Sequence, residues 1–158
     1  MPEQKDLELL IQGHTPLLQI ETHEEKRALD LLVRIATRKV IPLFKWSVTE
    51  GLRRVDIDLG VQRHNAEPRD VLGHIKSSDV DGVYVLLDFD PYIQEPVNQR
   101  YIKEIAMQFE GGRNKLVFIS HKVDMPPGLS KRVARFELTL PDARALEHIS
   151  RDEAGQWQ

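Results

Sequence analysis

Residues 15–36 read T-P-L-L-Q-I-E-T-H-E-E-K-R-A-L-D-L-L-V-R-I-A, and they decide the fold. The apolar run at 16–20 has the length of one buried strand and is too short for a helix. Thr22 and Glu25 match the T-x-x-E capping box, in which a hydroxyl accepts from an early helix amide and a carboxylate reaches back to the cap amide. Behind them Ala28, Leu29, Leu31, Leu32, Ile35 and Ala36 fall on one helical face. A strand that runs into a helix through so short a turn is the first half of a βαβ unit.

Working outward, residues 6–12 predict a short amphipathic helix with Leu7, Leu10 and Ile11 on one face, closed by Gly13. Further strands are expected at 42–46, 83–87, 115–119 and 136–140. The clearest, V-Y-V-L-L at 83–87, is continuously apolar, as a strand covered on both faces should be. A helix starts within 65–68, with Pro68 in its first turn, and runs to Ser77. Pro96 opens another that ends near Phe109, before Gly111 and Gly112. A helical turn is expected at 129–134, and a last helix from Pro141. Residues 47–55 are either a loop or a short β excursion. Strands separated by helices predict a three-layer α/β/α domain over 1–150, built on a five-stranded parallel sheet. Residues 151–158 form a polar tail in which Trp157 has nothing local to pack on, and read as the start of a linker.

A chain of 158 residues with 41% hydrophobic and 30% charged residues fits one soluble domain with a substantial core. A net charge of −3 gives no electrostatic reason to expect nucleic acid or an anionic membrane as partner. The absence of cysteine excludes disulfides and thiolate chemistry. The opening M-P-E-Q-K-D-L-E lacks the basic-then-apolar pattern of a signal peptide, and no apolar run approaches the roughly 20 residues of a membrane helix. A cytoplasmic location is expected.

In a parallel sheet of this kind, chemistry belongs at the carboxyl ends of the strands. Those ends carry Glu21-Thr22-His23, residues 47–51, Asp88-Phe89-Asp90 and Ser120-His121-Lys122. A phosphate-binding loop needs glycines, a lysine and a hydroxyl, whereas E-T-H-E-E-K-R has no glycine and crowds the helix start with carboxylates. Val85-Leu86-Leu87-Asp88 has the form of a strand ending in a magnesium-holding aspartate, but Phe89 stands where a catalytic glutamate would be. A second reading brings Glu21, Asp88 and Asp90 together around Mg²⁺ for phosphoryl or phosphodiester chemistry, an arrangement that resembles Toprim-like domains. Its bland counterpart makes Asp88 and Asp90 turn residues before Pro91. His23 misses the H-E-x-x-H zinc pattern because Arg27 occupies the last position, and Ser120 beside His121 is adjacency only. Lys131, Arg132 and Arg135 read as solvated surface. Trp46, Thr49, Arg53 and Arg54 are candidates for partner binding, since aromatic and arginine side chains anchor interfaces. The competing reading has Trp46 capping its own core. A small-molecule sensor at the strand ends is a third possibility.

L-E-L-L-I-Q followed by T-P-L-L-Q-I-E-T-H-E-E-K-R at 7–27, and F-K-W-S-V-T-E-G-L at 44–52, resemble AAA ATPases related to a conserved chloroplast open reading frame. The second stretch carries their W-[ST]-V-T-x-G signature, and L-S-K-R-V-A-R-F-E-L-T-L-P-D at 129–142 is similar to the final strand region of AAA modules. The resemblance implies an N-terminal domain built like a degenerate P-loop NTPase, without the phosphate loop. It further implies the spatial strand order 5-1-4-3-2, counting the five in chain order. ATP and Mg²⁺ would belong to an ATPase module absent from this sequence, leaving this chain no catalytic residue and no cofactor of its own. Its partner would be that module, another protein, or a further copy of itself.

Overall fold

Val83–Leu87 lies in mid-sheet and shows why its sequence does not alternate. Tyr84 and Leu86 point into one core, with Trp46, Phe89 and Phe118. Val83, Val85 and Leu87 point into a second core, with Leu18, Ile20 and Ile35. Both faces are apolar because both are covered. The computed structural model describes residues 2–55 and 65–138. In chain order these form α1 (Pro2–Gln12), β1 (Leu17–Glu21), α2 (Glu25–Lys39), β2 (Leu43–Ser47), β3 (Gly51–Arg54), α3 (Pro68–Ser77), β4 (Val83–Leu87), α4 (Asp90–Ile93), α5 (Pro96–Phe109), β5 (Lys115–Ser120) and β6 (Val133–Glu137).

The sheet order is β3-β2-β4-β5-β1-β6. β1 is flanked on both sides, with Leu17 level with Leu116 on one and Val133 on the other, both parallel. Without β3 this is the expected 5-1-4-3-2 arrangement. α1 and α2 cover one face of the sheet, and α3 and α5 cover the other.

Four expectations are corrected. The sheet has a sixth strand, because Gly51–Arg54 turns back and pairs antiparallel with β2, Trp46 lying level with Leu52. Gly51 makes the reversal at φ 74°, a backbone angle that suits a residue without Cβ. The capping box does not form. α2 begins at Glu25 behind Glu24, with no side-chain cap, and the Thr22 hydroxyl instead accepts from the Glu24 amide at 2.9 Å. That bond bends the chain out of β1, and the two residues it spans put Thr22 too early to be the cap. The expected helical turn at 129–134 shrinks to a 3₁₀ turn over Ser130–Arg132, so the last strand starts at Val133 rather than 136. Finally, α1 starts at Pro2 instead of residue 6, and Arg27 of α2 pairs with Glu3 in its first turn.

Pro68 and Pro96 each open a helix, where a missing N–H costs nothing. α2 closes on Val40, held left-handed at φ 55° and ψ 53°, with its amide donating to the Ala36 carbonyl. Lys115 is buried at 1% exposure, its ammonium capping the carbonyl oxygens of Gly13 and Thr15. The helix expected from 141, the tail at 151–158, Trp157 and the boundary at 150 lie outside the described residues.

Candidate functional site

The carboxyl ends of β1, β5 and β4 are stitched together by backbone bonds. The Thr22 amide donates to Ser120 O and the Asp88 amide to Ile119 O, each at 2.9 Å. Asp88 is left-handed at φ 53°, which aspartate tolerates better than most residues. His23 and His121, following β1 and β5, stack with ring centroids 5.9 Å apart.

α2 starts directly above this edge, where a mononucleotide-binding fold would present free amides to phosphate. Here its first residue is Glu25. Burial first, and the facing Asp88 second, push the Glu25 carboxyl above the usual range, while Lys45 of β2 pulls it back. Glu24 is tied to Arg27 at 3.0 Å. Lys45 and the Arg53 guanidinium together hold the Glu50 carboxyl low, with the 2.8 Å hydrogen bond from Arg53 the main cause. The edge is therefore an acidic shelf around Glu25 and Asp88, with Lys45 as its nearest cation.

Glu21, Asp88 and Asp90 are not brought together. Glu21 accepts from Gln19 Nε2 at 2.8 Å, within its own strand. Asp90 opens α4 and accepts from the Asp124 amide at 2.8 Å, fixing the loop after β5. Asp88 acts instead on Glu25, helping to raise its carboxyl. Among the described residues, no three histidine or acidic side chains are grouped as metal ligands. Strand pairing does not align these carboxylates, because only Glu21 belongs to a strand, whereas Asp88 sits in a left-handed turn past the end of β4 and Asp90 in the first turn of α4.

Trp46 takes the place that its competing reading gave it, in its own core, and not that of a partner-binding residue at the surface. It is fully buried, edge-on to Phe89 at 5.2 Å and to Tyr92 at 6.3 Å between centroids. The hairpin residues stay at the surface. Thr49 is exposed, with Oγ1 3.2 Å from Ser47 Oγ, Arg53 is paired with Glu50, and the Arg54 guanidinium lies 5.9 Å from the Phe44 ring centroid. Sequence reading missed the Glu25–Asp88 opposition and the His23–His121 stack. The strand order held the signal for both, since it makes β1, β5 and β4 consecutive neighbours.

A family model described as "SpoVK-like AAA ATPase, N-terminal domain" matches residues 3–138. A curated relative from Pyropia yezoensis, "Uncharacterized AAA domain-containing protein ycf46", is 25% identical over 141 residues. That alignment covers 87% of this chain and 28% of the relative, so the chain spans well under a third of the relative's length.

Proposed function

The chain belongs to the SpoVK-like AAA ATPase N-terminal domain family, and we propose that it is a non-catalytic domain serving assembly or partner recognition for an ATPase module. The observation that carries this reading is Glu25 at the first position of α2, facing Asp88. A helix N-terminus attracts phosphate through its free amides and positive dipole end. Two carboxylates at that place repel a triphosphate, and the connection Thr22-His23-Glu24 has no glycine to let a backbone wrap around it. What remains is a rigid α/β body with a hairpin bearing Thr49, Arg53 and Arg54 at one sheet edge. ATP and Mg²⁺ belong, in this reading, to the ATPase module alone.

Calorimetric titration of the purified chain with Mg²⁺-ATP, alongside a phosphate-release assay, tests the non-catalytic half. No micromolar binding and no turnover are expected. Turnover that Asp88→Asn abolishes would overturn the proposal. The assembly half is tested by sedimentation of the ATPase module with and without this domain attached. Unchanged oligomer size together with unchanged partner co-sedimentation would sink it.

A further inference from the structure

At the opposite pole of the sheet, the end of α1 and the turns preceding β2, β4 and β5 surround a groove of about 620 Å³. That is the size range of ligand-accepting clefts, roughly 300–1,000 Å³. Its apolar lining comes from Ile11, Val40, Ile41 and Pro42. The cations Lys39 and Arg113 stand at it with His14. Neither Lys39 nor Arg113 is ion-paired among the described residues. The acid present, Asp81, already accepts from Asn114 Nδ2 at 3.1 Å. A chain of net charge −3 thus keeps a positive, apolar-lined groove.

Val40 is the unusual part. It is β-branched, left-handed and 88% exposed. A left-handed L-residue costs roughly 1–2 kcal/mol, and glycine at a helix C-terminus would avoid it. Strain of this kind is retained at ligand clamps, where surrounding structure fixes it. Here the Val40 and Ile41 amides both donate to Ala36 O, which fixes the turn. Val80, 47% exposed, occupies the equivalent place on the next turn, since Leu43 and Val83 are register partners. Its carbonyl is pinned by the Tyr84 hydroxyl at 2.5 Å. Val40 thus lines the groove on a fixed turn, and Val80 is exposed on the turn leading into the neighbouring strand, next in sequence to the lining residue Asp81.

We propose that this groove docks an acidic peptide segment, seating an aliphatic side chain against Ile11, Ile41 and Pro42 and placing carboxylates on Lys39 and Arg113. The proposal deepens the partner-recognition reading above and rests on it. The probe is a phage-displayed random dodecapeptide library selected against the full chain, with enriched peptides then measured by fluorescence polarisation. Enriched sequences should combine aspartate or glutamate with leucine, isoleucine or valine. Binding should weaken as salt rises and fall about tenfold or more for Lys39→Glu combined with Arg113→Glu, by loss of charge complementarity. Val40→Asp should weaken it as well, whereas Lys122→Glu, a single charge reversal at the other pole, should not. Lys39→Gln with Arg113→Gln provides a milder pair if charge reversal unfolds the domain. Acidic peptides indifferent to both pairs would refute the groove and leave partner recognition standing. Selection of no acidic-aliphatic sequence would refute it too, and the sedimentation experiment then judges the broader reading separately.

Discussion

The indole Nε1 of Trp46 donates to the carbonyl oxygen of Asn65 at 2.8 Å. A strand buried on the α3–α5 side thereby holds the chain where it approaches α3, at a residue that is itself left-handed with φ 58°. Trp46→Phe keeps an aromatic body against Phe89 but loses this bond, and should cost about 1–2 kcal/mol. Trp46→Ala leaves a cavity among Phe89, Tyr92 and Leu86, and should cost about 3–5 kcal/mol in urea unfolding. A loss under about 1 kcal/mol for the alanine variant would contradict the burial described.

Glu25→Gln should stabilise the domain at neutral pH. Burial and Asp88 raise this carboxyl, so the folded state keeps its proton to higher pH than the unfolded chain does. Stability is therefore lost as pH rises through the folded titration, and the variant escapes that loss. Glu25 is largely exposed, so the gain should be a few tenths of a kcal/mol, roughly the scale of a surface charge interaction. It should vanish at pH values where both carboxyls are protonated. Thermal melts across the acidic range would show a pH-independent difference if the Glu25 carboxyl were not raised in the folded state.

Lys115 predicts the reverse slope in alkali. Burial lowers it from 10.5 to about 8. Between those values the unfolded chain binds more protons than the folded one, so this group makes stability rise with pH, by about 3 kcal/mol in all. The neutral amine still offers two N–H groups, enough for the carbonyls of Gly13 and Thr15. Lys115→Met should remove this contribution. Urea midpoints of both proteins, compared across that interval, should diverge. Parallel curves would show that the lysine is not desolvated.

Val40→Gly should raise stability by about 0.5–1 kcal/mol, because glycine adopts the left-handed angle without a Cβ penalty. The same change should weaken capture of acidic peptides. A variant that is more stable and binds less is the signature expected if the strain is kept for docking. Stability lost on this substitution would show that Val40 is not strained.

The legible part of the fold was whatever depended on burial from both sides. The runs at 16–20, 83–87 and 115–119 are apolar but for Gln19 and Lys115 because helices cover both faces, and Pro96 and Gly111 bracket α5. Edge elements were harder to read, since one side meets solvent and the pattern thins. β3 has Leu52 as its one apolar side chain and exists by pairing with β2, and β6 buries Phe136 alone among its five residues. The T-x-x-E pattern at Thr22 and Glu25 misled because a local match cannot show how many residues the strand needs to turn. Asp88 looked like a metal ligand in sequence. Its opposition to Glu25 arises from packing between segments far apart in the chain. Trp46 could be read as anchor or core until the register put it beside Leu86.

β1 leaves the ribosome first among the strands, yet its partners β5 and β6 begin about 100 residues later. At roughly 5–20 residues per second, this largely buried strand waits about 5–20 s with both hydrogen-bonding edges open. α1 and α2 emerge close to it and can shelter the face bearing Leu18 and Ile20. The face bearing Leu17 has no such cover until α3 and then α5 arrive, about 50 to 80 residues later. The nascent domain therefore passes through an interval in which β1 is a template for any passing edge, and its yield in the cell depends on how that interval is guarded.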